Sequence, residues 1–158
     1  MKMRLHFVGL LLFVCTLASC DKEVLENTSV IAAKNALEVE RGLFGTVNEH
    51  RVSLGLNALQ YSEVAYTYAN EHNEYMISKA SISHDNFSSR ASKISSKTGT
   101  EFVAENVAKD YGDATEAFQG WMNSTSHKKT IEGEFSHTAV SVKTNADNNL
   151  YFTQIFFR

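Results

Sequence analysis

The hydrophobic pattern of this chain changes period once along its length, and that change limits the folds open to it. Val39, Leu43, Val47, His50 and Leu54 fall on one helical stripe, with Gly55 as a stop signal. Ser62 is placed to cap a second helix that turns Val64, Ala65, Tyr68, Ala69, His72 and Met76 inward and leaves Glu63, Glu71 and Glu74 to solvent. A third helix starts near Asp113, with Glu116 completing a capping-box pattern and Ala114, Ala117, Phe118, Trp121 and Met122 at core spacing. After His137 the period drops to two. Thr138, Val140 and Val142 alternate with Ala139, Ser141 and Lys143, and a second alternating run covers Leu150 to Phe156. The polar stretch Asn145–Asn149 between the runs predicts an antiparallel hairpin. Helices first and strands last give an α+β fold, with helices packed on a small antiparallel sheet.

Two segments carry weaker signals. Residues 81–100 are rich in Ser, Thr and Lys and read as loop, with one helical turn near Arg90–Ile94. Glu101 to Ala108 reads as a short extended stretch.

The N-terminus stands apart from this pattern. Lys2, Arg4 and His6 precede an almost wholly apolar run from Phe7 to Ala18, short for a membrane span and suited to a signal-peptide core. It ends in Leu17-Ala18-Ser19-Cys20, which resembles the bacterial lipobox, where the leader is removed before a cysteine that is then lipidated. The expected organisation is a lipoprotein signal peptide over 1–19, a lipidated Cys20 and tether over 20–36, and one domain over 37–158. Cleavage after residue 19 of the 158 leaves 139 residues, enough for a single core. It also leaves 13 basic against 18 acidic residues, which argues against nucleic acid and against a polybasic membrane patch as partners. Membrane attachment would rest on the acyl groups of Cys20. Cys15 would leave with the leader, so no thiol pair remains and stability must come from packing. These features place the protein outside the cytoplasm, in the bacterial cell envelope, periplasmic or at the surface.

Three short stretches hold the chemistry: the Ser-Ile-Ser-His ending at His84, Ala-Glu-Asn-Val-Ala over 104–108, and Trp121 to His127. His84 and His127 each offer a neutral imidazole, a common zinc ligand, and Glu105 could orient one such ring through its other nitrogen. Two protein ligands are fewer than the three usual for catalytic zinc. Glu105 is also the candidate general base, which would require a raised pKa and reach to a substrate; the alternative is a carboxylate that satisfies backbone amides in a turn. Ser124 and His127, at i and i+3, could meet as hydroxyl and base. Ser124 lacks the strained Gly-x-Ser-x-Gly turn and an assigned third group, and reads as a capping or loop hydroxyl. His50 and His72 lie on apolar stripes and read as core histidines with one hydrogen bond each. His137 opens a strand and is expected to face solvent, and Arg90 is placed to pair with a carboxylate and pin its loop.

The order of these features resembles a known family. Asn48-x-x-Arg51-x-x-x-Gly55-Leu56-x-x-Leu59 is followed by Ala69-x-x-His72-x-x-x-Met76. His84, Glu105-Asn106-Val107-Ala108, Trp121-Met122-Asn123-Ser124-x-x-His127, Phe135 and Tyr151-x-Thr153-Gln154-x-Phe156 complete the pattern. It is similar to the CAP superfamily of cysteine-rich secretory proteins, antigen 5 and plant pathogenesis-related proteins, and within it to a disulfide-free bacterial branch. The resemblance runs from about Leu43 to Phe157. It implies an α–β–α sandwich and a cleft that in many members carries two histidines and two glutamates, sometimes with a divalent metal. By position His84 is the first histidine, Glu105 the first glutamate and His127 the second histidine; the second glutamate's place is taken by Ser124. That the two histidines lie close together, as a metal pair requires, is implied by this resemblance alone. Lys128 keeps the basic residue that often follows the second histidine. The resemblance implies a ligand- or partner-binding module, the ligand being a lipid, a glycan or a protein. The alternative is a hydrolase of envelope or extracellular substrates assisted by zinc or another divalent metal, with His84 and His127 as ligands and Glu105 as base.

Overall fold

A computed structural model describes residues 33–158. The signal peptide, Cys20 and most of the tether expected from the sequence lie outside the described residues. Along the described chain run β1 (Lys34–Asn35), α1 (Leu37–Ser53), β2 (Gln60–Tyr61), α2 (Glu63–Ser78), α3 (Phe87–Thr98), β3 (Val103–Lys109), α4 (Ala114–Met122), α5 (Thr125–Ile131), β4 (His137–Thr144) and β5 (Leu150–Phe157).

The local signals act where the sequence puts them. Ser62 Oγ accepts the Ala65 N–H at 3.3 Å and opens α2. Asp113 Oδ1 accepts the Glu116 N–H at 2.9 Å, while the Glu116 carboxylate turns back to the Gly112 N–H at 2.8 Å. Gly55 takes φ +78° just past the end of α1, a left-handed backbone that glycine adopts without a Cβ penalty. The β4–β5 turn is closed by Asn145, whose Oδ1 accepts the N–H groups of Asp147 and Asn149 at 3.0 and 2.8 Å.

The sheet order is β1-β4-β5-β3; these neighbours are antiparallel, and β2 adds a short parallel pairing to β4. Strand alternation assigns side chains to two faces. Ala108, Val140, Val142, Phe152 and Phe156 pack with Leu43 and Val47 of α1, Ala117 and Trp121 of α4 and Ile131 of α5. On the other face Ala139, Ile155 and Phe157 pack with Ala65, Tyr68 and Ala69 of α2 and Ile94 of α3. Both faces are covered, so six consecutive residues of β4 and seven of β5 are buried and the architecture is an α–β–α sandwich.

Four expectations need correction. The stretch read as loop over 81–100 contains α3, twelve residues long; only Arg90 and Ile94 of it are buried, so its sequence carries almost no apolar stripe. The sequence reading followed the third helix only to Met122 and missed a further helix, α5, over residues 125–131. Leu54 is 53% exposed because the helix ends at Ser53 and the next residue leaves the stripe. His137 does not simply face solvent: its ring stacks on Phe157 at 4.9 Å and its Nδ1 lies 2.8 Å from Ser136 Oγ.

The residue that continues the α1 stripe inward is Arg51, one turn after Val47 and fully buried. Its guanidinium donates to the carbonyls of Asn57 at 3.0 Å and of Ile131 and Gly133 at 2.7 Å. Asn48 clamps the same loop from the side, exchanging hydrogen bonds with the Leu59 N–H and C=O at 2.7 and 3.1 Å. The Asn48-x-x-Arg51 pattern is therefore a backbone clamp tying α1 to the 55–59 loop and to the end of α5. Burial holds the Arg51 guanidinium below its ordinary pKa.

Candidate functional site

The candidate cleft lies over β3, an edge strand reached from both layers of the sandwich. Glu105 alternates with Val103 and Val107 and so points to the α2/α3 side, while Asn106 points to the α5 side. Helices α3 and α5 both pack on this strand. A cavity of about 300 Å³ opens there, bounded by His84, Phe87, Val103, Ala104, Glu105 and Thr130.

Glu105 is its centre, and its side chain is almost wholly buried. Arg90 on α3 grips it as a fork: Nε donates to Oε2 and Nη2 to Oε1, both at 2.8 Å. The remaining Arg90 nitrogen, Nη1, donates to the Asp85 carbonyl at 3.0 Å and draws in the loop that carries His84. Arg90 thus meets the carboxylate the sequence called for. Glu105 does not satisfy amides of a turn; the Glu-Asn-Val-Ala stretch is strand, and the carboxylate is spent on side chains.

His84 Nδ1 lies 2.9 Å from Glu105 Oε1. A carboxylate only accepts, so Nδ1 carries the proton and Nε2 is left as the free ring nitrogen on a half-exposed side chain. His72 stands behind this pair. Its Nε2–H donates to the Ser83 carbonyl at 2.7 Å and lies 3.7 Å from Glu105 Oε1. Burial holds His72 below the ordinary imidazole pKa, against the opposing pull of the Glu105 charge. The sequence read His72 as a core histidine with one hydrogen bond; that bond is the one that fixes the backbone just before His84.

His127 enters from α5. Its carbonyl accepts from Asn106 Nδ2 at 3.2 Å, and its ring lies against Trp121 with centroids 6.3 Å apart. Burial lowers its pKa, and the neighbouring His84 lowers it further, so the ring is neutral at neutral pH. Ser124 takes no part in this constellation: it is the first residue before α5, and its Oγ lies 3.2 Å from Ser126 Oγ. Among the described residues no third partner completes a nucleophile there.

The donor set does not fit a catalytic zinc centre. Among the described residues no three His, Cys, Asp or Glu side chains converge to hold a metal ion. Glu105, the natural third ligand beside two imidazoles, is already held by Arg90 and His84. The sequence placed Arg90 to pair with a carboxylate without identifying Glu105 as that partner, and it missed the bond from Asn106 to the His127 carbonyl. For Arg90 the signal was a cation four residues before Ile94, in a stretch that also carries Lys93 and Lys97.

Comparisons with known proteins agree with this architecture. The CAP, cysteine-rich secretory protein, family model matches residues 44–156. The uncharacterized membrane protein YlbC of Bacillus subtilis is 28% identical over 123 residues, 75% of this chain; the match spans about a third, 34%, of that relative's length. An outer surface protein of Borrelia burgdorferi superposes with a TM-score of 0.72 at 20% identity, covering 80% of this chain and 96% of that one. An extracellular SCP-domain protein of Bacillus anthracis gives 0.67 at 26% identity, covering 77% and 41%. A cysteine-rich secretory protein of Staphylococcus aureus gives 0.64 at 20%, covering 77% and 38%. Among the described residues no helix is long and apolar enough to cross a membrane. With the family model matching most of the domain and the sandwich shared by these structures, the chain belongs to the CAP, or cysteine-rich secretory protein, family.

Proposed function

We propose that this chain is a bacterial envelope lipoprotein, anchored through Cys20, whose CAP domain binds a ligand or partner in the cleft formed by His84, Glu105 and His127 without turning it over. The observation that carries this reading is the state of Glu105. Both of its oxygens accept from the Arg90 fork, and one also accepts from His84. A general base must have a lone pair aimed at the proton it takes. Here the carboxylate faces inward and instead positions the His84 ring, which offers a free Nε2 to the cleft. Ser124, at the position of a second carboxylate, adds no acid. The cleft therefore presents the His84 imidazole beside Phe87, Val103, Ala104 and Thr130, a surface that suits polar and apolar parts of a lipid, glycan or protein.

The extracytoplasmic setting is supported by the lipobox-like Leu17–Cys20 and by relatives named as outer surface and extracellular proteins. The alternative, a zinc-assisted hydrolase, would need Glu105 to leave Arg90 for a metal or a water. The two readings separate in one assay. The purified protein is offered a peptide, an ester and peptidoglycan, with and without added zinc. We expect no turnover. Zinc-stimulated cleavage that disappears in His84→Ala would overturn the binding reading.

A further inference from the structure

A second pocket lies at the opposite edge of the sheet, where β1 and β2 flank β4, and has no part in the cleft described above. Its volume is about 330 Å³, and Phe44, Tyr61 and Tyr66 line it together with Glu40 and Glu63. The rings form a connected wall: Phe44 meets Tyr61 edge-on at 6.3 Å, and Tyr61 meets Tyr66 at 5.9 Å. Tyr61 is half-exposed although it is aromatic and partnered on both sides.

The charge at the floor of this pocket is unbalanced. Glu40 is buried. Its Oε1 accepts from the Val142 N–H at 2.9 Å and from Asn35 Nδ2 at 2.7 Å, and its Oε2 accepts from the Tyr66 hydroxyl at 2.9 Å. All three donors are neutral, and among the described residues no cation pairs with it. Glu63 adds a second carboxylate at the rim, accepting from the Tyr61 hydroxyl at 3.1 Å. Arg41 also borders the pocket, but it is exposed and paired with Glu38. Burial first, then the hydrogen bond to Glu63 and its charge, pushes the Tyr61 phenol above its ordinary pKa, with Glu40 the smallest contribution.

Aromatic faces attract cations through their quadrupole, and cages of such rings hold quaternary ammonium groups. A buried carboxylate without a countercharge adds the same preference. The Glu40 oxygens are already engaged by three donors, so the pocket offers a cation charge and ring contact more than hydrogen-bond acceptors. That favours an ammonium group whose hydrogens are replaced by methyls. We propose that this pocket binds an alkylated ammonium cation, seated against Phe44, Tyr61 and Tyr66 above the Glu40 carboxylate.

The test is a titration of the purified, isotope-labelled protein with choline, followed by NMR, beside the uncharged carbon isostere of choline, dimethylbutanol. Saturable shifts of residues around Tyr61 are expected with choline, and binding at least about tenfold weaker with the isostere. Tyr61→Ala should abolish the shifts, whereas Tyr61→Phe, which keeps the ring, should hold affinity within a few-fold. Tyr61 is half-exposed, so both variants should keep the fold. Phosphatidylcholine vesicles distinguish the sources: retention that free choline competes away points to a lipid headgroup, and choline binding without retention points to a free cation. Either outcome supports the site. Equal affinity for the isostere, no shift with choline, or binding unchanged in Tyr61→Ala overturns it.

Discussion

Two carboxylates are buried among the described residues, at opposite edges of one sheet, and they are held in opposite ways. Glu105, on β3, has a cation across both oxygens and an imidazole on one of them. Glu40, on α1 beside β1 and β4, has only an amide N–H, an asparagine and a phenol. The first is a neutralised pair whose job is positional: it fixes Arg90, the 85–90 backbone and the His84 tautomer together. The second keeps its charge and projects it into an aromatic pocket. Burial alone therefore says little about what a carboxylate does; the charge of its donors decides whether it serves as an anchor or as a source of field.

The largest expected effect breaks the Glu105 side. Arg90→Met removes the fork and leaves a buried charge without its cation, which should cost about 3–5 kcal/mol of unfolding free energy in urea titrations. Glu40→Gln sharpens the contrast. It removes charge but no countercharge, and an amide can keep most of the same contacts, so the loss should be about 1 kcal/mol. If Glu40→Gln costs as much as Arg90→Met, the two sites are not different in kind.

A smaller effect comes from pH. His72 and His127 both have folded pKa values held below the unfolded one, chiefly by burial. The folded protein then binds protons less readily than the unfolded chain, so this stability is complete above the unfolded value of about 6.5 and is lost as pH falls through the folded values. Urea midpoints should drop on going from about pH 7.5 to about pH 5, and His127→Gln should flatten part of that slope. Both histidines belong to the Glu105 edge, so hydrogen exchange should report the acid loss there before it appears around Glu40.

Much of the fold was legible because each element states its own period. The stripe through Leu43 and Val47, the caps at Ser62 and Asp113 and the alternation of β4 and β5 are local signals that tertiary packing reinforces. Helix α3 was not legible, since Arg90 and Ile94 are its only buried residues and its start follows Asn86 in a left-handed conformation. Gly99, with φ +74°, was the one clue to its end. β1 and β2 have two residues each and exist only through pairing with β4, which no short window of sequence can show. At the site, His84, Glu105 and His127 were named through the family likeness. Their functional roles were not readable, because the Arg90–Glu105 fork joins residues fifteen apart through two different elements.

The claim that Glu105 is an anchor locked by Arg90 is tested most directly by a double-mutant cycle with Arg90→Met, Glu105→Met and the pair, read as unfolding free energies. The account predicts strong coupling, with the double variant more stable than the sum of the single losses implies by about 2 kcal/mol or more. Single losses that simply add, within about 0.5 kcal/mol, would contradict it and return Glu105 to the list of groups free to act on a substrate.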